Sequence, residues 1–405
     1  MTANPALGVA LHWIGGLAGA SFYLPYLRVR RWAWETYWFT GGLFSWIIAP
    51  LVLAWLLVPN LWHVIGSAPA RVLFLAYLFG ALWGVGGITY GLAIRYLGIG
   101  LGIAVALGYC AAFGSLLPPL AQGQFRTLLF SRSGEVVLLG VLVCLAGVIT
   151  AGIAGMLKER EVSAEQKKAT TAEFSFGKGF LIATFAGIMS AAFALGLNWG
   201  QPIATLAKAQ LITAGDNLYW QGLPVLVVVL WGGFTTNFIW CLILNIKNHS
   251  GKDYFSPWQA RPVSVIDTAA DPAAPTSAGR LALGTDSALN VATVQTGRQV
   301  RTKVPLLNNY AFCALAGTIW YLQLFFYTMG QTKLGKYQFS GWTLHMASLI
   351  IFATFWGILL KEWRGASGRS HFWIAMGLLL LVGSTIIIGY GNYLGTTVAA
   401  GVTRQ

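Results

Sequence analysis

The chain is 405 residues long, 56% hydrophobic and only 9% charged, with a formal net charge of +14. An ordinary soluble domain carries roughly 25% charged residues, so this composition excludes a soluble globular protein. The basic excess then bears on membrane topology through the placement of the charges, and no nucleic-acid partner is expected.

A bilayer core about 30 Å thick needs about 20 apolar residues per helix at about 1.5 Å of rise each. Apolar runs of that length recur ten times, at about 7–27, 36–58, 71–94, 98–120, 134–156, 178–198, 218–245, 306–330, 338–360 and 371–394. Their near-continuous hydrophobicity excludes a transmembrane barrel, whose strands alternate in period 2. The expected fold is an all-α integral membrane protein. The first run lacks a basic n-region and is followed by Arg28, Arg30 and Arg31, so it reads as a retained helix and not a signal peptide.

Loops after odd-numbered spans hold 19 of the 26 Lys and Arg residues, which predicts that they face the cytoplasm and that both termini lie outside. Arg95, in the short third loop, reads as one such topology determinant. Trp32, Trp34, Trp38, Trp62, Trp363 and Trp373 fall at span ends, where an indole suits the headgroup layer. Residues 158–177 read as a cytoplasmic linker between a first half, 1–157, and a second half, 178–405. Rich in Ala, Thr, Ser, Pro and Gly, the stretch at about 248–304 reads as a flexible cytoplasmic insert in the second half.

Without that insert the spans divide into two sets of five. Trp83, Tyr90 and Gly98 in the third and fourth spans recur at the same spacing as Trp320, Tyr327 and Gly335. An odd number of helices per unit turns the second unit upside down, so the expectation is two inverted five-helix repeats, an architecture of alternating-access transporters.

Catalytic constellations are absent: the sequence contains no HExxH, GxSxG or P-loop and no paired carboxylates within the membrane or on one loop face, so no enzyme is expected. Cys110, Cys144, Cys241 and Cys313 fall inside spans without CxxC or metal-ligand spacing and read as packing residues. The Gly98, Gly100, Gly102 series lacks the setting of a dinucleotide fingerprint and reads as close helix packing. Without a Walker motif, uphill movement must draw on an ion gradient.

Long runs resemble the bacterial L-rhamnose/proton symporters of the drug/metabolite transporter superfamily: HWIGGLAGASFYLPYLRVRRWAWET near the start, FGALWGVGGITYGLAIRYLGIGLGIA in the third and fourth spans, and WYLQLFFYTMG, GWTLHMAS and GILLKEW later. The resemblance implies ten helices in two five-helix halves in the bacterial inner membrane, and proton-driven uptake of L-rhamnose or a related 6-deoxy sugar. It implies no cofactor beyond the proton gradient. The insert at about 248–304 is the expected departure from the family. A proton-coupled exporter of metabolites or drugs shares the fold and is the alternative; a non-transporting membrane scaffold is a remoter one.

A neutral deoxyhexose needs hydroxyl partners and an apolar surface for its C–H face. The candidate ligands are Trp83 and Tyr90, on one helical face with Gly86 and Gly87 as a gap; Trp320, Gln323 and Tyr327 on another; and Asn198, Gln201 and Asn237. Each competes with a packing or interhelical role. Glu35 is the first proton-carrier candidate, although it lies near the cytoplasmic boundary and pairing with Arg28, Arg30 or Arg31 is the competing reading. His12 and His345, each a little more than a turn inside a span, are the others.

Overall fold

Proline and glycine set the limits of the helices, and the helices run where apolar stretches of bilayer length occur. The computed structural model describes residues 3–97, 99–161, 176–263 and 296–402. The ten long helices are α1 (Pro5–Ser21, continued by Tyr23–Tyr26), α2 (Trp34–Leu57), α3 (Ala70–Leu97), α4 (Ile99–Ala121), α5 (Arg132–Glu161), α6 (Phe176–Trp199), α7 (Leu223–Lys247), α8 (Leu306–Gln331), α9 (Ser340–Leu359) and α10 (Gly368–Val402). Among the described residues nine are long and apolar enough to cross a bilayer, and α4 adds the shorter apolar stretch Val105–Ala121. The chain is an all-α integral membrane protein.

Local chemistry explains several boundaries. Asn4 caps α1 by accepting from Leu7 N at 3.1 Å. Val58 precedes Pro59 and is extended, at φ −120° and ψ 110°, because the proline ring disfavours a helical predecessor; α2 ends there. Pro50 cannot donate to the carbonyl four residues before it, that of Trp46, and α2 absorbs the defect as a π-helical turn over Phe44–Ile48. Pro224 occupies the first turn of α7, where a missing N–H costs nothing.

The helix pairs follow a rule. α1 packs on α8 and α9, while α6 packs on α3 and α4; α2 packs on α8, while α7 packs on α3; α4 and α5 pair, as do α9 and α10. Each partnership maps onto its counterpart when every helix is advanced by five. Individual contacts repeat too. A Cβ on Gly80 of α3 would run into the Val229 carbonyl of α7, and one on Gly317 of α8 would run into the Gly41 carbonyl of α2. Gly80 and Gly317 stand the same number of residues apart as Trp83 and Trp320. Likewise a Cβ on Gly8 of α1 would lie 2.9 Å from Leu334 Cδ2, and one on Gly179 of α6 2.6 Å from Leu97 Cγ.

Some expectations need correction. Arg95 sits within α3, not in a loop. Trp32 is not a headgroup indole: it is 3% exposed, with Tyr310 edge-on at 4.8 Å, whereas Trp62 is exposed as expected. Gly98, linker residues 162–175 and insert residues 264–295 lie outside the described residues. The described margins of the insert are folded: Ser250–Tyr254 forms a 3-10 turn, and β1 (Trp258–Val263) pairs antiparallel with β2 (Thr296–Lys303).

Gly80→Ala and Gly317→Ala force backbones apart and are each expected to cost about 1–3 kcal/mol. Gly87, where a Cβ meets nothing within 4 Å, should accept alanine within about 0.5 kcal/mol. Thermal unfolding of the purified protein, followed by tryptophan fluorescence, ranks the three.

Candidate functional site

Three indoles meet halfway along their helices. Trp46 of α2 lies edge-on to Trp320 of α8 at 5.7 Å and to Trp83 of α3 at 6.4 Å, and Trp83 and Trp320 are 5.8 Å apart at a 31° tilt. The residues equivalent under the helix exchange therefore touch each other where the halves meet. Below the indoles, toward the end of the bundle that carries Arg28, Arg30 and Arg31, lies a cavity lined by Phe22, Tyr26, Trp38, Gly42, Ser45, Trp46, Gly317 and Trp320. Its volume, counted as room for the centre of a water molecule, is about 10 Å³, enough for about one water. A hexose would need it wider.

The lining is aromatic with sparse polar atoms. Trp46 Nε1 is buried without a hydrogen-bond partner among the described residues. Buried donors are normally satisfied. Ser45 Oγ is committed only to the Gly42 carbonyl at 3.3 Å. Such a surface offers ring faces to a C–H face and unspent donors to hydroxyls. Trp38 is held in the wall by donating from Nε1 to Asn237 Oδ1 at 3.3 Å, and Asn237 Nδ2 donates to the Gly233 carbonyl at 2.9 Å. Asn237 thus positions an indole and has both its polar ends engaged.

The other sequence candidates separate. Tyr90 packs with Ala93, Leu97, Ala106 and Ala183, away from the indoles. Gly86 is no gap for a sugar, since a Cβ there would lie 2.5 Å from Ser190 N of α6. Gln323 lies against α1, where a Cβ on Gly19 would be 2.5 Å from its Oε1. At the opposite end of the bundle, Asn198 accepts from Gln122 Nε2, and Gln201 Nε2 donates to the Leu197 carbonyl at 3.3 Å. Tyr327 meets both candidate histidines: its ring is 5.2 Å from His12 and 5.4 Å from His345.

Glu35 is buried in the first turn of α2, where the helix N-terminus favours a carboxylate. Among the described residues its hydrogen-bond partners are not the arginines. Oε1 accepts from Asn248 Nδ2 at 3.0 Å and from Ser250 Oγ at 2.5 Å. Asp253 Oδ2 accepts from Ala33 N at 3.0 Å, and Asn309 exchanges two hydrogen bonds with the Arg30 backbone, at 3.0 and 2.8 Å. Nearby, burial raises the Tyr254 hydroxyl above the ordinary tyrosine range. The segment after α7, the loop before α2 and the start of α8 are thereby stitched across the basic end of the cavity.

Sequence reasoning missed Trp46, Ser45, Tyr26 and Phe22. Pro50 inside an apolar span was the available signal, because an intrahelical proline marks irregular backbone.

Comparison with known proteins adds the family context. The family model for the L-rhamnose-proton symport protein matches residues 1–271 and 288–394. The chain is similar to the L-rhamnose-proton symporter of Yersinia pestis (strain Pestoides F), 34% identical over 388 residues, covering 95% of this chain and 97% of the relative. It is equally similar to those of Yersinia pseudotuberculosis serotype O:1b (strain IP 31758) and serotype O:3 (strain YPIII). The match is interrupted between residues 271 and 288, inside the stretch at about 248–304.

Removing the acceptor at position 35 exposes the stitching. Glu35→Ala is expected to cost about 1–3 kcal/mol by leaving buried donors unmet. Glu35→Gln keeps a carbonyl acceptor and should cost less; equal losses in chemical denaturation would contradict this account.

Proposed function

The chain belongs to the L-rhamnose-proton symport protein family, and from that premise we propose that it takes up L-rhamnose together with protons by alternating access. The family is one of symporters, so the chain is a transporter and not an enzyme, and family membership favours uptake over the exporter and scaffold readings. The observation that carries the reading is the aromatic cavity beneath Trp46, Trp83 and Trp320, with a buried indole N–H left unspent.

The sugar would lie with its C–H face and methyl group on Trp46 or Trp320 and its hydroxyls toward Trp46 Nε1 and Ser45. Trp38, held by Asn237, completes the wall. A related 6-deoxy sugar would share the apolar contact.

The helix exchange supplies the alternation. Phe22, Tyr26, Gly317 and Trp320 line the cavity, and their counterparts by the repeat spacing are Phe193, Leu197, Gly80 and Trp83. Phe193 and Leu197 are buried in the core. One side of the indole layer is thus loosened while the equivalent side is tightly packed. Exchanging the conformations of the halves would close the first and open the second. This supports the inverted five-helix repeat.

The basic end faces the cytoplasm in this reading, with both termini outside a bacterial cytoplasmic membrane, because loops rich in Lys and Arg stay on the cytoplasmic side. The stitched layer around Glu35 is then the cytoplasmic closure. A proton descending about 100 mV releases about 2.3 kcal/mol, enough for roughly 50-fold accumulation of a neutral sugar.

Adding L-rhamnose to lightly buffered, energised cells that express the chain but cannot metabolise the sugar should alkalinise the medium, with no comparable response to glucose. Trp320→Phe should raise the half-saturating concentration about 2- to 10-fold, the worth of an aromatic contact. No L-rhamnose signal from membrane-inserted protein would sink the symport reading.

A further inference from the structure

The exchange that relates the two halves places equivalent residues in equivalent surroundings, so a departure from equivalence shows where the fold alone does not dictate the residue. Tyr90 of α3 and Tyr327 of α8 are equivalent. Tyr90 packs against a cluster of Ala93, Leu97, Ala106 of α4 and Ala183 of α6. By the spacing that relates Gly8 to Gly179, the counterpart of Ala183 is His12. The counterpart of Ala106 is His345, by the spacing that relates Tyr109 to Ser348. That second correspondence rests on contacts: a Cβ on Gly187 would lie 2.6 Å from Tyr109 Cβ, and one on Gly16, its equivalent, would run into Ser348. One tyrosine packs against a cluster that includes both alanines, and the other against both imidazoles.

Alanine satisfies the packing at one end, so packing does not require histidine at the other. Both imidazoles are almost fully buried, at 0% and 1% exposure. His12 Nδ1 lies 2.7 Å from the Gly8 carbonyl, which only accepts, so Nδ1 carries the hydrogen and Nε2 keeps the lone pair of the neutral ring. His12 Nε2 and His345 Nδ1 are buried without a partner among the described residues. The Tyr327 hydroxyl accepts from Gln331 Nε2 at 2.7 Å. Trp342 links this cluster to the indole layer: its ring lies 5.9 Å from Tyr327 and 5.7 Å from Phe193, which lies 5.1 Å from Trp83.

We propose that His12 and His345, both packed against the Tyr327 ring, are the proton-carrying site of symport and accept one proton between them. This rests on the L-rhamnose/proton reading above. A proton from the outside water adds to an imidazole lone pair and leaves to the cytoplasm after the halves exchange. The rings flank one tyrosine, so charging one disfavours charging the other.

Titratable groups near the pair on the packed elements include Tyr327 on α8, Cys110 on α4, whose carbonyl accepts from Trp342 Nε1, and Cys144 on α5, whose Sγ faces the Thr343 carbonyl. Lys333, just beyond α8, is engaged over the Tyr219 ring at 4.7 Å. No carboxylate is recorded against either imidazole among the described residues. Linkage is reciprocal, so a protonated pair that favours the sugar is itself favoured by the sugar.

The test uses purified protein in liposomes with an acid outside and radiolabelled L-rhamnose, comparing the parent with His12→Asn, His345→Asn, the double variant and Glu35→Gln. The double variant should retain counterflow at equal pH, which shows that it is folded, while gradient-driven accumulation falls from as much as about 50-fold under 100 mV to about onefold. Glu35→Gln, which alters the closure, should change the rate of uptake but still accumulate the sugar well above onefold. Accumulation by the double variant at the parent level, or uncoupling in Glu35→Gln alone, overturns the assignment. If the double variant lacks counterflow, binding by the single variants decides. The parent should bind L-rhamnose more tightly as pH falls from about 8 to 5, the variants should respond less, and an unchanged response overturns the proposal. A parent with no proton-linked accumulation overturns the symport reading itself.

Discussion

The close approach of α3 to α7 at Gly80 and of α8 to α2 at Gly317 sets the position of everything at the centre of the molecule. With no Cβ at either point, backbones touch backbones, and the next inward residues, Trp83 and Trp320, meet each other across the junction of the halves. In a bilayer, helices associate through packing and not through hydrophobic exclusion of water, so small residues at crossings are the principal fastening. The indole layer follows from those glycines.

Two further consequences follow from that layer. It leaves room for a cavity on the side where α2 is distorted, because Pro50 frees the Trp46 carbonyl and the π turn re-aims the Trp46 ring toward Trp83 and Trp320. It also separates two polar regions. On the basic side, Glu35, Asp253, Asn248 and Asn309 fasten loops across the cavity. On the other side, His12, Tyr327 and His345 form a buried cluster joined to the layer through Trp342 and Phe193. A carboxylate accepting two neutral donors at a helix N-terminus has the geometry of a fastening; two imidazoles with unpartnered nitrogens have the geometry of a group that takes up a proton.

Helix existence was legible in the sequence because a bilayer dictates the length and hydrophobicity of what crosses it. The family resemblance was legible in long runs such as FGALWGVGGITYGLAIRYLGIGLGIA. The repeat was only partly legible: three matched residues hinted at it, while Gly80 with Gly317 and Gly8 with Gly179 emerge once their contacts are known. Site residues were harder. Trp83 and Trp320 were found because large aromatics in mid-span stand out, but Tyr90, Gln323, Asn198 and Gln201 sit on other faces or at the far end. Helical spacing fixes which residues share a face, not which neighbour that face meets. Glu35 was noticed for its isolation, yet its partners come from a segment more than 200 residues away, which composition marked as flexible.

The central claim is that L-rhamnose occupies the cavity beneath the indole layer. All four native cysteines are buried and free, so a thiol introduced as Ser45→Cys in the cavity wall should be the principal target of a small membrane-impermeant thiol reagent applied from the cytoplasmic side. The account predicts that L-rhamnose slows this labelling in transport-competent protein and that glucose does not. Labelling at the same rate with and without L-rhamnose, in protein that still transports it, would place the sugar elsewhere and contradict the account.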